Sequence, residues 1–127
     1  MKVTGVDIQI AYGETIDNEV IIEGATFTGD DRALFVIRDA NGVPIINRAY
    51  VLTKSDEIAG AYTFWLDIQH SVSELLLPVN YYEWGLSIYK NADLAPNKTP
   101  INGTVKAPIA TGRFNVIKNI AREEGLV

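Results

Sequence analysis

The chain has 127 residues, of which 47% are apolar, 9% aromatic and 21% charged, enough apolar material for one core and too little for two. Sixteen acidic against eleven basic residues give a net charge of −5, so no chain-wide positive field draws in nucleic acid or an anionic membrane. The lack of cysteine excludes disulfide frameworks, thiolate metal sites and cysteine nucleophiles, and fits synthesis in a reducing compartment.

Residues 1–10 alternate polar and apolar, without the continuous apolar stretch of a signal peptide. No apolar run approaches the roughly 20 residues of a membrane span, so the expectation is a soluble chain with no export signal. Val, Ile and Thr number 11, 15 and 9, and these stiff β-branched side chains favour strands. Period-two alternation predicts strands over Val6 to Tyr12, with Val6, Ile8, Ile10 and Tyr12 inward, then over Glu19 to Glu23 and Arg32 to Asp39. Gly29-Asp30-Asp31 separates the last two as a loop. Asn41-Gly42 supplies the positive-φ residues of a tight turn, and Val43 to Val51 is the returning strand of the hairpin. Pro44 cannot donate to a ladder, which puts that strand at a sheet edge or makes its first residues irregular.

After a loop at Ser55-Asp56-Glu57, Ala61 to Asp67 is a strand with Tyr62, Phe64 and Leu66 on one face. Ser71 and Glu74 have capping-box spacing at the start of a helical turn that Pro78 stops. The clearest strand follows, with Tyr82, Trp84, Leu86 and Ile88 on its core face, and is expected at the centre of the fold. A turn-rich stretch from Asn91 to Pro100 leads to strands at Ile101 to Lys106 and Gly112 to Lys118. About seven or eight short strands with almost no helix predict an all-β, antiparallel, immunoglobulin-like sandwich over residues 1–118, with a tail at 119–127. Tyr81 or Tyr82, after the helical turn, occupies the position of a tyrosine corner. A small closed barrel is the alternative.

Side chains able to do chemistry are sparse. His70 is the only histidine, so no second imidazole or thiolate completes a metal set, and it is read as a surface or capping residue. Ser71, Ser73 and Ser87 lack the Gly-x-Ser-x-Gly context of a nucleophile elbow. The pairs Asp30-Asp31, Asp56-Glu57 and Glu123-Glu124 are adjacent, so in extended chain their carboxylates diverge, and all are read as solvated loop charge. The spaced ligands of a calcium loop and the Lys-Ser/Thr ending of a phosphate loop are both missing. Two Asn-x-Thr triplets, at Asn97 and Asn102, are taken as chance in a chain without a secretory signal. The expectation is a protein with no catalytic residues, no metal and no cofactor.

Binding candidates are the long loop and the aromatics facing away from the core. Tyr81 and Tyr89 alternate out of the central strand, and Trp65 alternates away from Tyr62, Phe64 and Leu66. Exposed Tyr and Trp suit protein interfaces and sugar rings alike. Trp65, Tyr81 and Tyr89 are therefore the interface candidates.

The order of segments adds a resemblance. Arg32 to Gly42 with its returning strand, Gly60-Ala61-Tyr62-Thr63-Phe64, the helical turn before Pro78, Tyr81-Tyr82-Glu83-Trp84-Gly85-Leu86 and Gly112-Arg113-Phe114-Asn115-Val116 follow one another over about residues 6–118. This succession resembles the N-terminal β-sandwich domain of phage upper baseplate proteins and related prophage tail modules. The resemblance implies a structural, non-catalytic virion domain, made in the bacterial cytoplasm. It would join other tail or baseplate proteins, as a homo-oligomer in ring-symmetric copies, with no nucleic-acid or membrane partner. A carbohydrate-binding module is the competing expectation, with Trp65, Tyr81 and Tyr89 stacking on sugars and Asn91, Asp93 and Asn97 meeting their hydroxyls.

Overall fold

The computed structural model describes residues 1–4, 6–23, 31–89 and 106–118. They form two sheets. The larger has the order β1 (Lys2–Thr4), β2 (Asp7–Ala11), β9 (Lys106–Ile117), β8 (Tyr82–Tyr89), β4 (Arg32–Asp39) and β5 (Pro44–Val51). The smaller is β3 (Ile16–Glu23), β7 (Ala61–Ile68) and β6 (Thr53–Lys54). A single helical turn, α1 (His70–Ser73), precedes β8. The two sheets stay separate, so the fold is an all-β sandwich of the immunoglobulin-like kind and not a closed barrel. Among the described residues every pairing is antiparallel except β2 with β9, which run parallel.

Strand alternation builds the core. Ile8 and Ile10 of β2, Ile16 and Ile22 of β3, Phe35 and Ile37 of β4, Phe64, Leu66 and Ile68 of β7, Leu86 and Ile88 of β8 and Phe114 and Val116 of β9 meet between the sheets. β8 lies between β4 and β9, as its pattern predicts. Leu34, Val36 and Ala49 are buried as well, in a second small cluster with Tyr89 that is apart from the main core. This explains the near-continuous apolar run of β4.

Punctuation behaves as its chemistry requires. Gly42 has φ +78°, and the Asp39 carboxylate accepts the N–H groups of Asn41 and Val43 at 2.9 and 3.0 Å, which closes the β4–β5 hairpin. Pro44 opens β5, an edge strand, as expected. Ser55 Oγ accepts the N–H groups of Glu57 and Ile58, so that loop is a serine turn. Before β8, the Tyr82 hydroxyl accepts the N–H of Leu77 at 2.9 Å. Of the two tyrosines in question, Tyr82 therefore makes the tyrosine corner.

Several local expectations are corrected. Ser71 caps nothing: Gln69 is the N-cap of α1, without a side-chain cap, and His70 is its exposed first residue. Buried Ser73 does the anchoring instead, donating its hydroxyl to the carbonyls of Glu14 at 2.8 Å and His70 at 3.2 Å. Val6 lies outside β2 and is exposed, where an inward position is expected. Asp31 is 1% exposed at the entry to β4 and is not solvated loop charge. The separate strand expected at Gly112 is the second half of β9, which runs through Pro108 and Gly112. Pro108 is tolerated because β2 pairs only from Phe114 onward, leaving the Pro108 stretch of β9 with β8 as its one strand partner, and the register shifts there. The loop from Asn91 to Pro100, with Asn91, Asp93 and Asn97, and the tail at 119–127 lie outside the described residues.

Candidate functional site

Trp65 stands at the middle of β7, opposite Glu19 of β3, and is 52% exposed. Its neighbours on this outward face are acidic, because alternation along the β3–β7 ladder also turns Asp17, Glu23 and Asp67 outward. The indole N–H donates to the Asp17 carboxylate, which holds the ring across the two strands. The outer surface of the smaller sheet is thus a tethered tryptophan bordered by carboxylates, with exposed Ile21 and half-buried Thr63 next along the ladder.

Tyr81 and Tyr89 belong to the opposite surface, on the larger sheet. Tyr81, 42% exposed, donates its hydroxyl to the Glu83 carboxylate at 2.5 Å. The Arg113 guanidinium lies 5.2 Å from its ring centroid, a cation–π contact. Glu83 is paired across the strands with Arg38 on one side and Arg113 on the other, so the row reads Arg38, Glu83, Arg113 beside the tyrosine. The hydrogen bond to Glu83 is the main reason the Tyr81 phenol lies above its ordinary pKa; slight desolvation and the Glu83 charge push the same way, and Arg113 opposes them. Tyr89 is half-buried against Leu34, Val36 and Ala49 at the other end of β8. Eight residues of strand separate the two tyrosines, about 26 Å at the usual rise.

The three aromatics are therefore not brought together. Trp65 lies on one outer face, and Tyr81 and Tyr89 are spread along the other, so they do not make one stacking platform. Among the described residues no group of three or more His, Asp or Glu side chains is placed to hold a metal. No helix among them is long and apolar enough to cross a membrane.

Two further features carry no clear periodic signal in the sequence. At one end of the sandwich, Leu75, Leu77 and Val79 are exposed around the segment entering β8, next to Ile45 of the β4–β5 hairpin. Val79 has φ +61° and is 92% exposed, although β-branched residues rarely adopt that backbone. Along one side, an apolar cleft of about 430 Å³ opens between the sheets. Residues 18–21 of β3 border it on one sheet and Val3, Val6 and Ile8 on the other, and it reaches Phe35, Phe64, Trp84 and Leu86 inside. The Trp84 indole stacks on Phe35 with centroids 5.9 Å apart and donates to the Val6 carbonyl at 2.8 Å. That crossing explains Gly112, whose absent Cβ would lie 1.9 Å from the Val6 oxygen and 2.8 Å from Trp84 Nε1.

Comparison with known proteins finds no matching family model and no significantly similar curated protein or solved structure.

Proposed function

We propose that this chain is a non-catalytic structural module of a phage or prophage tail or baseplate, located in the virion and acting through contacts with copies of itself and with other tail proteins. The ordered segments from Arg32 to Val116 supply the phage context. The observation that carries the mode of action is the placing of exposed aromatic anchors on opposite faces, Trp65 among carboxylates on one and Tyr81 beside Arg113 on the other. A module with unlike anchors on two faces suits head-to-tail contacts, which close into rings when the rotation between copies allows. Aromatic anchors supply affinity, and repetition around the ring turns modest contacts into a stable assembly.

Light scattering on size-exclusion fractions across a concentration series tests this. The expected result is a discrete oligomer that Trp65→Ala and Tyr81→Ala each weaken while the fold is retained, each variant losing about 1 kcal/mol of stability through its intrachain contacts. A wild-type chain that stays monomeric at high concentration, and binds none of the purified tail and baseplate proteins encoded beside it, would overturn the reading. Titration with cell-wall and capsular sugars is expected to be silent, and saturable sugar binding would replace this proposal with the carbohydrate one.

A further inference from the structure

We propose that β3 accepts an added strand from a partner protein, an extended segment in which apolar residues alternate with lysine or arginine. The smaller sheet begins at β3, and among the described residues no strand lies on its far side. In constant-type immunoglobulin sandwiches the corresponding sheet has four strands, the first of the chain lying beside the second. Here β1 and β2 both belong to the larger sheet, so the place beside β3 is unfilled by them. An eight-residue edge strand presents a row of backbone donors and acceptors along that place.

The surroundings define what fits. Inward side chains of an added strand would enter the 430 Å³ cleft, against Val20, Phe35, Trp84 and Leu86. Its mouth is already rimmed by exposed apolar side chains: Met1, Val3, Val6 and Ile21 are 36%, 56%, 57% and 39% exposed. Outward side chains would lie beside Asp17, Glu19, Ile21 and Glu23, all exposed and three of them carboxylates, with Asp67 one strand further in. Opposite charges across neighbouring strands stabilise and like charges destabilise, so the outward set is Lys or Arg. The same rule disfavours a second copy of β3 as the added strand, because its own outward residues include the same three carboxylates. Strand addition takes affinity from main-chain hydrogen bonds and specificity from alternate side chains, which the cleft and the acidic row supply.

This inference rests on the reading of the chain as a protein-binding module, but its test needs neither a tail protein nor a ring. The full chain is titrated with a peptide of about nine residues alternating Val and Lys, enough to span β3. Controls are a peptide with the same residues grouped in two blocks and one alternating Val and Glu. Amide exchange of β3 and the Trp84 indole resonance are followed by NMR. The alternating Val/Lys peptide is expected to protect β3 amides and shift Trp84, and to bind about tenfold more tightly than either control. Glu19→Lys/Glu23→Lys is expected to reverse the preference between the Lys and Glu peptides. Equal binding of alternating and grouped peptides, or binding that leaves β3 exchange unchanged, would overturn the proposal. So would protection of β3 by self-association in the chain alone, which would make a second copy the occupant. If the charge variant does not fold, the wild-type comparison still decides.

Discussion

Along one side of the sandwich, the chain passes from β5 into β6 through the single buried residue Leu52, so the edge strands of the two sheets are joined almost directly. Tyr50 and Phe64 stack just inside, with centroids 5.0 Å apart. Along the other side, β3 faces β1 and β2 across the cleft, and the Trp84 indole on the Val6 carbonyl ties the chain between β1 and β2 to β8 within the larger sheet and does not reach β3. The same alternating chemistry lines both sides, so the difference comes from connectivity. A one-residue crossover forces two edges together, whereas β1 and β2 remain with the larger sheet and, among the described residues, no strand pairs with the outer edge of β3. The closed side is covered by the chain's own connection, and among the described residues the open side leaves backbone and apolar surface available for contact.

The sharpest way to break this comparison is at Gly112. A Gly112→Val side chain would overlap the Val6 carbonyl, and the crossing backbone cannot move aside without losing the Trp84 hydrogen bond and the β1–β2 edge. Urea denaturation is expected to show a loss of about 3 kcal/mol, in the upper range for overpacking. A loss below about 1 kcal/mol would mean that the open side carries little of the fold. The closed side is tested by titration. Burial, and after it the Asp67 charge, pushes the Tyr50 phenol up to about 12, with the Arg48 charge opposing. An unfolded tyrosine loses its proton near pH 10, so the stability due to the neutral phenol is fully present below that pH and is lost as pH rises through 12. Solvent at the ring edge reduces the effect to about 1 kcal/mol. Unfolding midpoints measured from pH 9 to 12 should fall more steeply for the wild type than for Tyr50→Phe, and parallel curves would remove Tyr50 from the closed side.

How far this architecture is readable depends on the range of the forces involved. The β4–β5 hairpin and β8 are legible because alternation, Asn41-Gly42 and Pro44 act within a few residues of one another. β9 is not legible as one strand, since Pro108 and Gly112 resemble breaks until their partners are known: a one-sided stretch for Pro108 and the Val6 carbonyl over Gly112. β1 and β6, three and two residues long, are too short for any period to show. Alternation identifies Trp65, Tyr81 and Tyr89 as outward side chains, but outward from which sheet is a tertiary fact, and it separates Trp65 from the tyrosines. The cleft follows from the division into six strands and three, which no local pattern encodes.

The smallest expected effect sharpens the comparison by lying at the end of the sandwich. Val79 carries a left-handed backbone and buries almost nothing, being 92% exposed, so its strain is not repaid by packing within the chain. It is held there because Tyr82 fastens Leu77 upstream of it, fixing the path into β8. Asparagine tolerates this backbone far better than a β-branched residue, and does so without the unfolded-state entropy that glycine adds. Val79→Asn is therefore expected to stabilise the protein by about 0.5 kcal/mol, read as a higher urea midpoint with an unchanged slope. Its effect should add to that of Gly112→Val, because no shared partner links the two positions. A non-additive result would mean that the corner and the open side move together, and that opening the cleft loosens the entry to β8. Strict additivity would confine the response to the β3 side, where β1 and β2 meet the cleft.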